Sequence, residues 1–339
     1  MVRAAWAHSF ALRSAHMRVV SCNSFGPVSD LTVEHRPSVP VGPGQVRIRV
    51  TAAGVNFVDG LFVQGLYQIK PPVPFVPGGE VAGVVAEVGD GVTTHSVGDR
   101  VFCSTGLGGF ASEVVWPARR VTHTPAGMTD GQAATFVQSY GTAWFALHHR
   151  ARAHAGEWLL VLGAGGGVGL AAVDVGHAMG LHVIAAASSQ EKRSIASAHG
   201  AEAEIDTSTE DVKSRAKELS GGGVHLVYDP VGGALAEAGL RSLRDDGQLL
   251  VVGFAAGEIP KLPANQILLR NRRVTGVDWG GWVGGHQEEN QQLLSDVVAA
   301  IDRGDLHPVE PKAYALADVA VALQDQLDRK VVGKSVLVP

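Results

Sequence analysis

The sequence predicts an α/β protein of two domains, in which a doubly wound parallel sheet accompanies a mostly β, barrel-like domain. The first observation is length, because 339 residues exceed what one hydrophobic core usually supports. The second is the order of predicted elements along the chain. Short strands separated by Gly and Pro fill residues 17–138, whereas strands and helices alternate through residues 139–282. The third is a turn with five glycines in seven positions, which lies in the second region.

Composition and charge exclude several classes of protein. Apolar residues make up 45% of the chain, charged residues 18%, and the formal net charge is −5, so no basic face indicates nucleic acid or a membrane surface. No apolar stretch reaches the roughly 20 residues of a membrane span. Two cysteines, Cys22 and Cys103, provide neither a disulfide framework nor a structural zinc quartet. We expect a reducing, cytoplasmic location.

The first sixteen residues carry Arg3 and Arg13 and no acidic residue, which is faintly similar to an organelle-targeting peptide. The sequence "MRVVSCNSFG", which starts at Met17, is typical of the first strand of a domain. We therefore predict that residues 1–16 form an extension, either disordered or produced by an upstream start codon.

Residues 17–138 are predicted to form the barrel-like domain. Strands are expected at Gln45–Val55 and in the segments 79–89 and 98–104. Val46, Ile48 and Val50 alternate with polar residues, which is the period of a half-buried strand.

Residues 139–282 are predicted to form the parallel sheet, because near-continuous apolar strands alternate with amphipathic segments. Residues 283–339 are expected to return to the first domain and to end with the strand "GKSVLVP". Two helical stripes are predicted there, comprising Leu294, Val297, Val298 and Ile301, and Val319, Ala320, Leu323 and Leu327.

The glycine turn joins the strand "WLLVLG" to a helix, and it begins at Gly163. Backbone N–H groups of Gly166, Gly167 and Val168 are expected to face a pyrophosphate, where the helix N-terminus adds partial positive charge. Gly169 lets the helix approach the strand closely because it has no side chain. In this context the turn predicts a dinucleotide site, although such a turn can also serve only to end a strand.

The end of the next strand indicates which dinucleotide binds. An NAD site usually places Asp or Glu there, about 20 residues after the glycines, to bind the ribose hydroxyls. This chain has Ser188 and Ser189 at that point, with Lys192 and Arg193 just after. Two hydroxyls and a cation can accept a 2′-phosphate, so the sequence favours NADPH. The alternative for Lys192 and Arg193 is a solvated helix face.

Several motifs follow one another in an order that resembles a known superfamily. They are "GVNFVDG", "QGLY", "VPGGEVAGVVAEVG", "VGDRV", "GGFASEVV", "GTAWFAL", "GAGGGVGLAA", "GAEAEID" and "YDPVGG". Together they resemble the medium-chain dehydrogenase/reductase superfamily, and within it the zinc-free quinone oxidoreductases related to zeta-crystallin. The resemblance, from about Met17 to Pro339, implies a Rossmann domain that binds NADPH, a GroES-like catalytic domain, and hydride transfer to a quinone.

The same resemblance implies that no metal takes part. Zinc-dependent members have a Cys and a His where this chain has Asn56 and Gly79, and neither residue is a good zinc ligand. The lobe that holds four cysteines in those members has only Cys103 here. His148, His149 and His154 are clustered, but no cysteine or acid lies at ligand spacing, so we expect them at the surface.

The site residues are also implied by the resemblance. Asn56 and Tyr67 would donate hydrogen bonds to the acceptor carbonyl, and Thr142 would lie near the nicotinamide. Each residue has an alternative role: Asn56 as a residue that bonds only backbone in a turn, Tyr67 as an aromatic wall, and Thr142 as a helix cap.

Other residues of the resemblance are assigned smaller roles. Phe254 and Lys334 would lie beside the cofactor, with a core residue and an exposed lysine as the respective alternatives. Asp59 is expected to hold the loop around Asn56, and Glu80 to be structural. One departure is Thr207, since quinone reductases often have Tyr at that position near the cofactor phosphate.

Two other functions remain open at this point. The same hydride geometry would serve an activated C=C bond in an alkenal, enone or enoyl thioester, and a crystallin-like protein could bind NADPH with little turnover. The resemblance also implies a homodimer through the strand "RRVTGVDWGG", whose Val274 and Val277 suit a covered sheet edge.

Overall fold

The computed structural model describes residues 16–339, which fall into two units. The first unit runs to Thr124 and adds Ala313–Leu323 and Leu337–Pro339. The second comprises Pro125–Lys312 and Gln324–Val336. The predicted extension lies outside the described residues except for His16, which begins the first strand.

Fifteen strands occur among the described residues. They are β1 (His16–Ser21), β2 (Thr32–Pro37), β3 (Gln45–Val55), β4 (Glu80–Val88), β5 (Arg100–Ser104), β6 (Glu113–Pro117), β7 (Thr122–His123), β8 (Trp158–Leu162), β9 (His182–Ala187), β10 (Ala203–Asp206), β11 (Val224–Asp229), β12 (Leu243–Val251), β13 (Arg273–Gly276), β14 (Lys312–Ala315) and β15 (Ser335–Val338).

Eleven α-helices occur in the same part of the chain. They are α1 (Phe57–Gln64), α2 (Asp130–Ala133), α3 (Phe136–Trp144), α4 (Gly167–Ala178), α5 (Gln190–Ala198), α6 (Val212–Leu219), α7 (Gly233–Ser242), α8 (Ala264–Leu268), α9 (Trp279–Val283), α10 (Gln287–Arg303) and α11 (Val319–Leu327). A π-helix over Phe145–Ala151 continues α3.

The first unit is built on antiparallel strands, as the sequence predicts. Its larger sheet has the order β14-β15-β3-β4-β5-β7, with β6 also pairing β3, and β1 pairs β2 separately. Val46, Ile48 and Val50 are all buried, so the predicted alternation along β3 is confirmed.

The second unit contains a six-stranded parallel sheet of order β10-β9-β8-β11-β12-β13. Helices follow β8, β9, β10 and β11, which is the doubly wound arrangement predicted. The strand order reverses between β8 and β11, and a crevice forms at the carboxyl ends of the strands at such a point. Leu160, Leu162, Ile184, Val227 and Leu249 are fully buried in the core of this sheet.

The boundaries of the two units differ from the ranges expected from the sequence. Residues 125–138, 283–312 and 324–336 belong to the unit of the parallel sheet instead of to the unit of the antiparallel strands. The reason is that α10 packs on α3 and is tied to α9, where Trp279 Nε1 donates to Asn290 Oδ1 at 3.0 Å.

The predicted apolar stripe of α10 was partly wrong. The buried face consists of Leu293, Val297 and Ala300, while Leu294 and Val298 are only half-buried. The packed face is thus rotated by one residue, or about 100° around the helix. In α11, Val319 and Leu323 are buried as predicted, together with Ala322.

Within residues 16–339, no helix combines the length and the apolar character needed to cross a membrane.

A buried carboxylate ties three segments of the second unit together. Asp174 lies on α4 and is 1% exposed; its Oδ2 accepts hydrogen bonds from Tyr140 Oη and from the backbone N–H of His307, each at 2.6 Å. Burial, and then the charge of Asp174, raise the pKa of Tyr140 well above its usual value. The carboxylate therefore holds α3 and the segment after α10 against the helix that follows the glycine turn.

We predict that Asp174→Ala lowers the free energy of unfolding by about 3 kcal/mol, because two buried donors lose a charged acceptor. Urea unfolding followed by tryptophan fluorescence measures the change. Asp302→Ala, at an exposed position of α10, is the matched control and should change the free energy by less than about 0.5 kcal/mol. Equal midpoints for the two variants would contradict the prediction.

Candidate functional site

The glycine turn lies between β8 and α4, at the carboxyl edge of the parallel sheet. Gly163 has φ +63°, a conformation that L side chains rarely adopt. Gly166 is the N-cap of α4, and its N–H donates to the Gly163 carbonyl at 3.0 Å. A Cβ on Gly169 would collide with the same carbonyl oxygen. The turn thus presents the first N–H groups of α4, including those of Gly167 and Val168, at the sheet edge.

Side chains from two other segments pack on this turn. A Cβ on Gly163 would lie 2.8 Å from Val231 Cγ2, so Val231 packs directly on the turn. Lys334 is only 6% exposed, and its side chain lies where a Cβ on Gly167 would be. Gly167 and Lys334, each predicted to bind the cofactor, are therefore close together, and a cation lies at the N-terminus of α4. This arrangement fits the pyrophosphate of a dinucleotide.

The end of β9 carries the residues predicted to select the dinucleotide. Ser188 is exposed directly after the strand. Ser189 is the N-cap of α5, where its Oγ accepts from the Lys192 N–H at 3.3 Å. Lys192 packs against Gly165, and its Nζ donates to the carbonyl of Arg329 at 2.6 Å.

Electrostatics at this corner favour an anion. Burial is the main cause that lowers the pKa of Lys192, and the positive charge of Arg329 lowers it further, against an opposing effect of Glu191. A phosphate beside Lys192 and Arg329 would relieve that repulsion. Sequence reasoning missed Arg329, because 137 residues separate it from Lys192 and no local pattern connects them.

Arg193, in contrast, belongs to the interior of the unit. It is 8% exposed, and its guanidinium pairs with Asp206 at 3.1 Å and Glu204 at 3.6 Å. Nη1 also donates to the carbonyl of Ala187 at 3.2 Å. The solvated-face alternative for Arg193 was therefore wrong, and its charge is engaged in holding α5 to β9 and β10.

Asp229 at the end of β11 is a second residue that sequence reasoning missed. It is fully buried, and its Oδ1 accepts from the backbone N–H groups of Val231 and Gly232, both at 2.9 Å. Burial raises the pKa of Asp229, and these two hydrogen bonds oppose the shift. The carboxyl group shapes the turn that places Val231 on Gly163. The quoted motif "YDPVGG" contained the only signal for it.

Phe254 follows β12 and borders the same turn. A Cβ on Gly232 would lie 3.1 Å from the Phe254 ring. The backbone N–H of Ala255 donates to the Pro230 carbonyl at 3.1 Å, and that of Ala256 donates to the Val231 carbonyl at 2.8 Å. The half-buried Phe254 ring is therefore held at the carboxyl edge of the sheet.

In the first unit, Asn56 is held by two buried carboxylates. It is the N-cap of α1; its backbone N–H donates to Asp59 Oδ2 and its side-chain Nδ2 donates to Glu80 Oε1, both at 2.8 Å. Asn56 is 8% exposed, and Asp59 and Glu80 are 1% exposed. Asp59 holds the loop as expected, and Glu80 orients the amide, so Asn56 does more than bond backbone in a turn.

Tyr67 lies three residues beyond α1 in the same unit. Its backbone N–H donates to the Leu61 carbonyl at 3.3 Å, and its half-buried ring packs on Phe62 with the ring centroids 4.6 Å apart. The ring direction is thus set by α1, the helix that Asn56 begins.

Thr142 lies in the second unit, in the interior of α3. Its Oγ1 donates to the Gln138 carbonyl at 2.6 Å, one turn earlier. The helix-cap alternative was wrong because α3 begins six residues before Thr142. Asn56 and Tyr67 thus lie in one unit, and Thr142 and the ten predicted cofactor residues in the other.

Metal ligation gains no support from the residues at the two expected zinc positions. Asn56 is bound to Glu80, and Gly79 carries no side chain. Burial raises the pKa of the Cys103 thiol to about 12, which disfavours the thiolate that binds metals. Residues 16–339 contain no group of three or more His, Cys, Asp or Glu side chains placed to hold a metal ion.

Two family patterns match the chain. Residues 42–126 match the alcohol dehydrogenase GroES-like domain, and residues 167–299 match the zinc-binding dehydrogenase family. The chain is 40% identical over 330 residues to the quinone oxidoreductase-like protein 2 homolog of Nematostella vectensis. The aligned region covers 94% of this chain and 88% of that protein.

Solved structures share the fold. The quinone oxidoreductase of Escherichia coli complexed with NADPH superposes with a TM-score of 0.85 at 27% identity, covering 95% of this chain and 100% of that one. The CurK enoyl reductase has a TM-score of 0.86 at 24% identity over 96% of this chain and 99% of that one, a likeness of fold alone. The chain belongs to the medium-chain dehydrogenase/reductase superfamily, as an oxidoreductase with an NAD(P)-binding fold and quinone oxidoreductase-like relatives.

Proposed function

We propose that this protein is a zinc-independent, NADPH-dependent reductase that transfers hydride to a quinone. The observation that carries the proposal is the buried Asn56–Glu80 pair, which stands where zinc-dependent members hold a metal ligand. An amide oriented by a carboxylate can donate a hydrogen bond to a carbonyl, but it cannot act as a strong Lewis acid. Such a site suits an acceptor that needs little polarisation.

The second unit would hold the cofactor along the carboxyl edge of its sheet. The N–H groups of Gly167 and Val168, with Lys334 beside them, fit the pyrophosphate, whereas the N–H of Gly166 is used within the turn by the Gly163 carbonyl. Ser188 and Lys192 fit a 2′-phosphate, since the exposed residue after β9 is a serine and carries no charge that would repel it. Reduced nicotinamide, when bound, supplies the hydride.

The acceptor would be polarised from the first unit. Asn56 and the Tyr67 hydroxyl donate hydrogen bonds to the quinone oxygen that gains negative charge, and solvent provides the proton that completes the quinol. Tyr67 acts as a hydrogen-bond donor instead of a strong acid, because a phenol gives up its proton only weakly. A quinone needs no metal because the added charge spreads over its ring and oxygens.

The first experiment follows NADPH oxidation at 340 nm with a small quinone and, separately, with a 2-alkenal and a crotonyl thioester. We expect the largest kcat/KM with the quinone, a loss of about 100-fold in kcat for Asn56→Ala, and about 10-fold for Tyr67→Phe. NADPH affinity, measured by fluorescence, should stay within about twofold because both residues lie outside the NAD(P)-binding unit.

Tyr314→Phe, on β14, is the matched control and should retain the wild-type rate. A larger kcat/KM with the alkenal or thioester would replace quinones by activated C=C bonds as the acceptor. Tight NADPH binding with no turnover of any acceptor would favour a binding protein and overturn the proposed reaction.

Cofactor choice is tested by Ser188→Asp. A carboxylate beside the 2′-phosphate repels it, so the ratio of kcat/KM for NADPH to that for NADH should fall at least about 10-fold. Ser295→Asp adds the same charge at an exposed position of α10 and should leave the ratio unchanged. If Ser188→Asp leaves the ratio at the wild-type value, the assignment of Ser188 fails.

We also propose that the protein is a homodimer that pairs through β13. This strand lies at the end of the sheet order, and no described strand pairs its outer side. Val274 on β13 is 39% exposed, and Leu268 and Leu269 just before it are 76% and 74% exposed. An apolar sheet edge of this kind is suited to a second copy of the chain.

Light scattering at micromolar concentration should therefore give about twice the chain mass of 35.3 kDa. Val274→Asp should give the monomer mass because it places like charges opposite each other across the edge. Val321→Asp, at an exposed position of α11, should remain dimeric. A monomeric wild-type protein refutes the proposal.

A further inference from the structure

Four large apolar side chains of the first unit are exposed to solvent, and three of them lie within six residues of Tyr67 in the sequence. Leu66 and Ile69 are 69% and 67% exposed, and Val73 and Phe25 are 42% and 39% exposed. We call these four residues the apolar rim. The other large exposed apolar side chains described in this unit are spread over separate segments; they are Val33, Val39, Val97, Val321 and Val338.

The rim forms one surface because Phe25 connects its two ends. The Phe25 ring lies against Gly65, where a Cβ would be 3.0 Å from Cγ of Phe25, and Gly65 directly precedes Leu66. The same ring is 6.2 Å from that of Phe75, two residues after Val73. Gly26 N–H also donates to the Val63 carbonyl at 3.1 Å.

The rim is held open to solvent by its backbone. Gly65 ends α1 in the left-handed conformation, and the N–H groups of Leu66 and Tyr67 both donate to the Leu61 carbonyl, at 2.9 and 3.3 Å. Three prolines follow within four positions, in the sequence "PPVP". Because proline fixes φ, a ligand that binds here would not have to order the segment first.

The chemistry of the rim is that of a hydrocarbon-binding surface. Lys70 is the one charged residue in the segment 65–76. Clustered exposed apolar side chains of this kind mark binding surfaces. Tyr67 directly follows Leu66, and its ring packs on Phe62 of α1, so the phenol and the rim segment are attached to the end of the same helix.

We propose that the apolar rim binds a hydrocarbon substituent of the acceptor, so that the preferred quinones carry an alkyl or prenyl chain. This inference rests on the proposed function, because Tyr67 serves there as a hydrogen-bond donor to the acceptor. The quinone ring would meet Tyr67 and Asn56, and the chain would lie over Leu66, Ile69 and Val73. Burial of methylene groups against the rim would then raise kcat/KM.

The experiment compares one benzoquinone ring with and without a decyl chain, and a parallel series of 2-alkenals from five to nine carbons. We expect kcat/KM to be about 10-fold higher for the decyl quinone in the wild-type protein. The double variant Leu66→Ser/Ile69→Ser should abolish this preference while its kcat/KM for the unsubstituted ring stays within about twofold. Val97→Ser, at a 67% exposed position elsewhere in the unit, should keep the preference.

The two acceptor series separate this inference from the proposed function. If no quinone is reduced but alkenals are, the proposed acceptor fails, and the rim is still tested by the dependence of kcat/KM on alkenal length. Equal kcat/KM for short and long acceptors in both series would overturn the inference. Co-sedimentation with phosphatidylcholine vesicles is a further test. If the double variant loses vesicle binding that the wild-type protein shows, but keeps the preference for long acceptors, the rim contacts a membrane surface and the inference is overturned.

Discussion

The close approach of α4 to the end of β8 is the constraint on which the arrangement of the second unit depends. Gly169 packs on the carbonyl of Gly163, and any side chain there would move the helix away. Val231 packs on Gly163, and the buried Asp229 shapes the loop that carries Val231. The N-terminus of α4 is therefore placed by backbone packing and one carboxyl group, before any cofactor binds.

Two positions of the first unit differ in chemistry from those of zinc-dependent members of the superfamily. At the positions where zinc-dependent members hold metal ligands, this chain has an amide bound to a carboxylate and a glycine. Glu80 accepts a hydrogen bond from the Asn56 side-chain amide and Asp59 accepts one from the Asn56 backbone N–H, each at 2.8 Å. At one of these two positions a buried carboxylate therefore holds a neutral hydrogen-bond donor in place.

Local patterns predicted a large part of this structure. The alternation along β3 and the strand–glycine–helix sequence at Gly163 depend on neighbours in the chain, so both could be recognised from the sequence. The buried face of α10 could not be identified correctly, because apolar residues lie on more than one side of that helix and α3 determines which side packs.

Local patterns also could not predict which residues pair with the charged side chains. Lys192 meets Arg329 across 137 residues, and Arg193 finds its acids on a neighbouring strand. Adjacent cations with the same local sequence context thus have opposite environments, one at the sheet edge and one in the interior. Only the packed structure distinguishes them.

That contrast bears on how the cofactor corner could have evolved. Ser188 is exposed, whereas Arg193, five residues later, is buried and paired with Asp206. Substitutions at Ser188 can therefore alter the charge presented to a ligand without disturbing the ion pairs that hold α5 to the sheet. If Ser188 selects the dinucleotide as proposed, selection on cofactor choice and selection on folding would act on different side chains, so a lineage could exchange one dinucleotide for the other through stable intermediates.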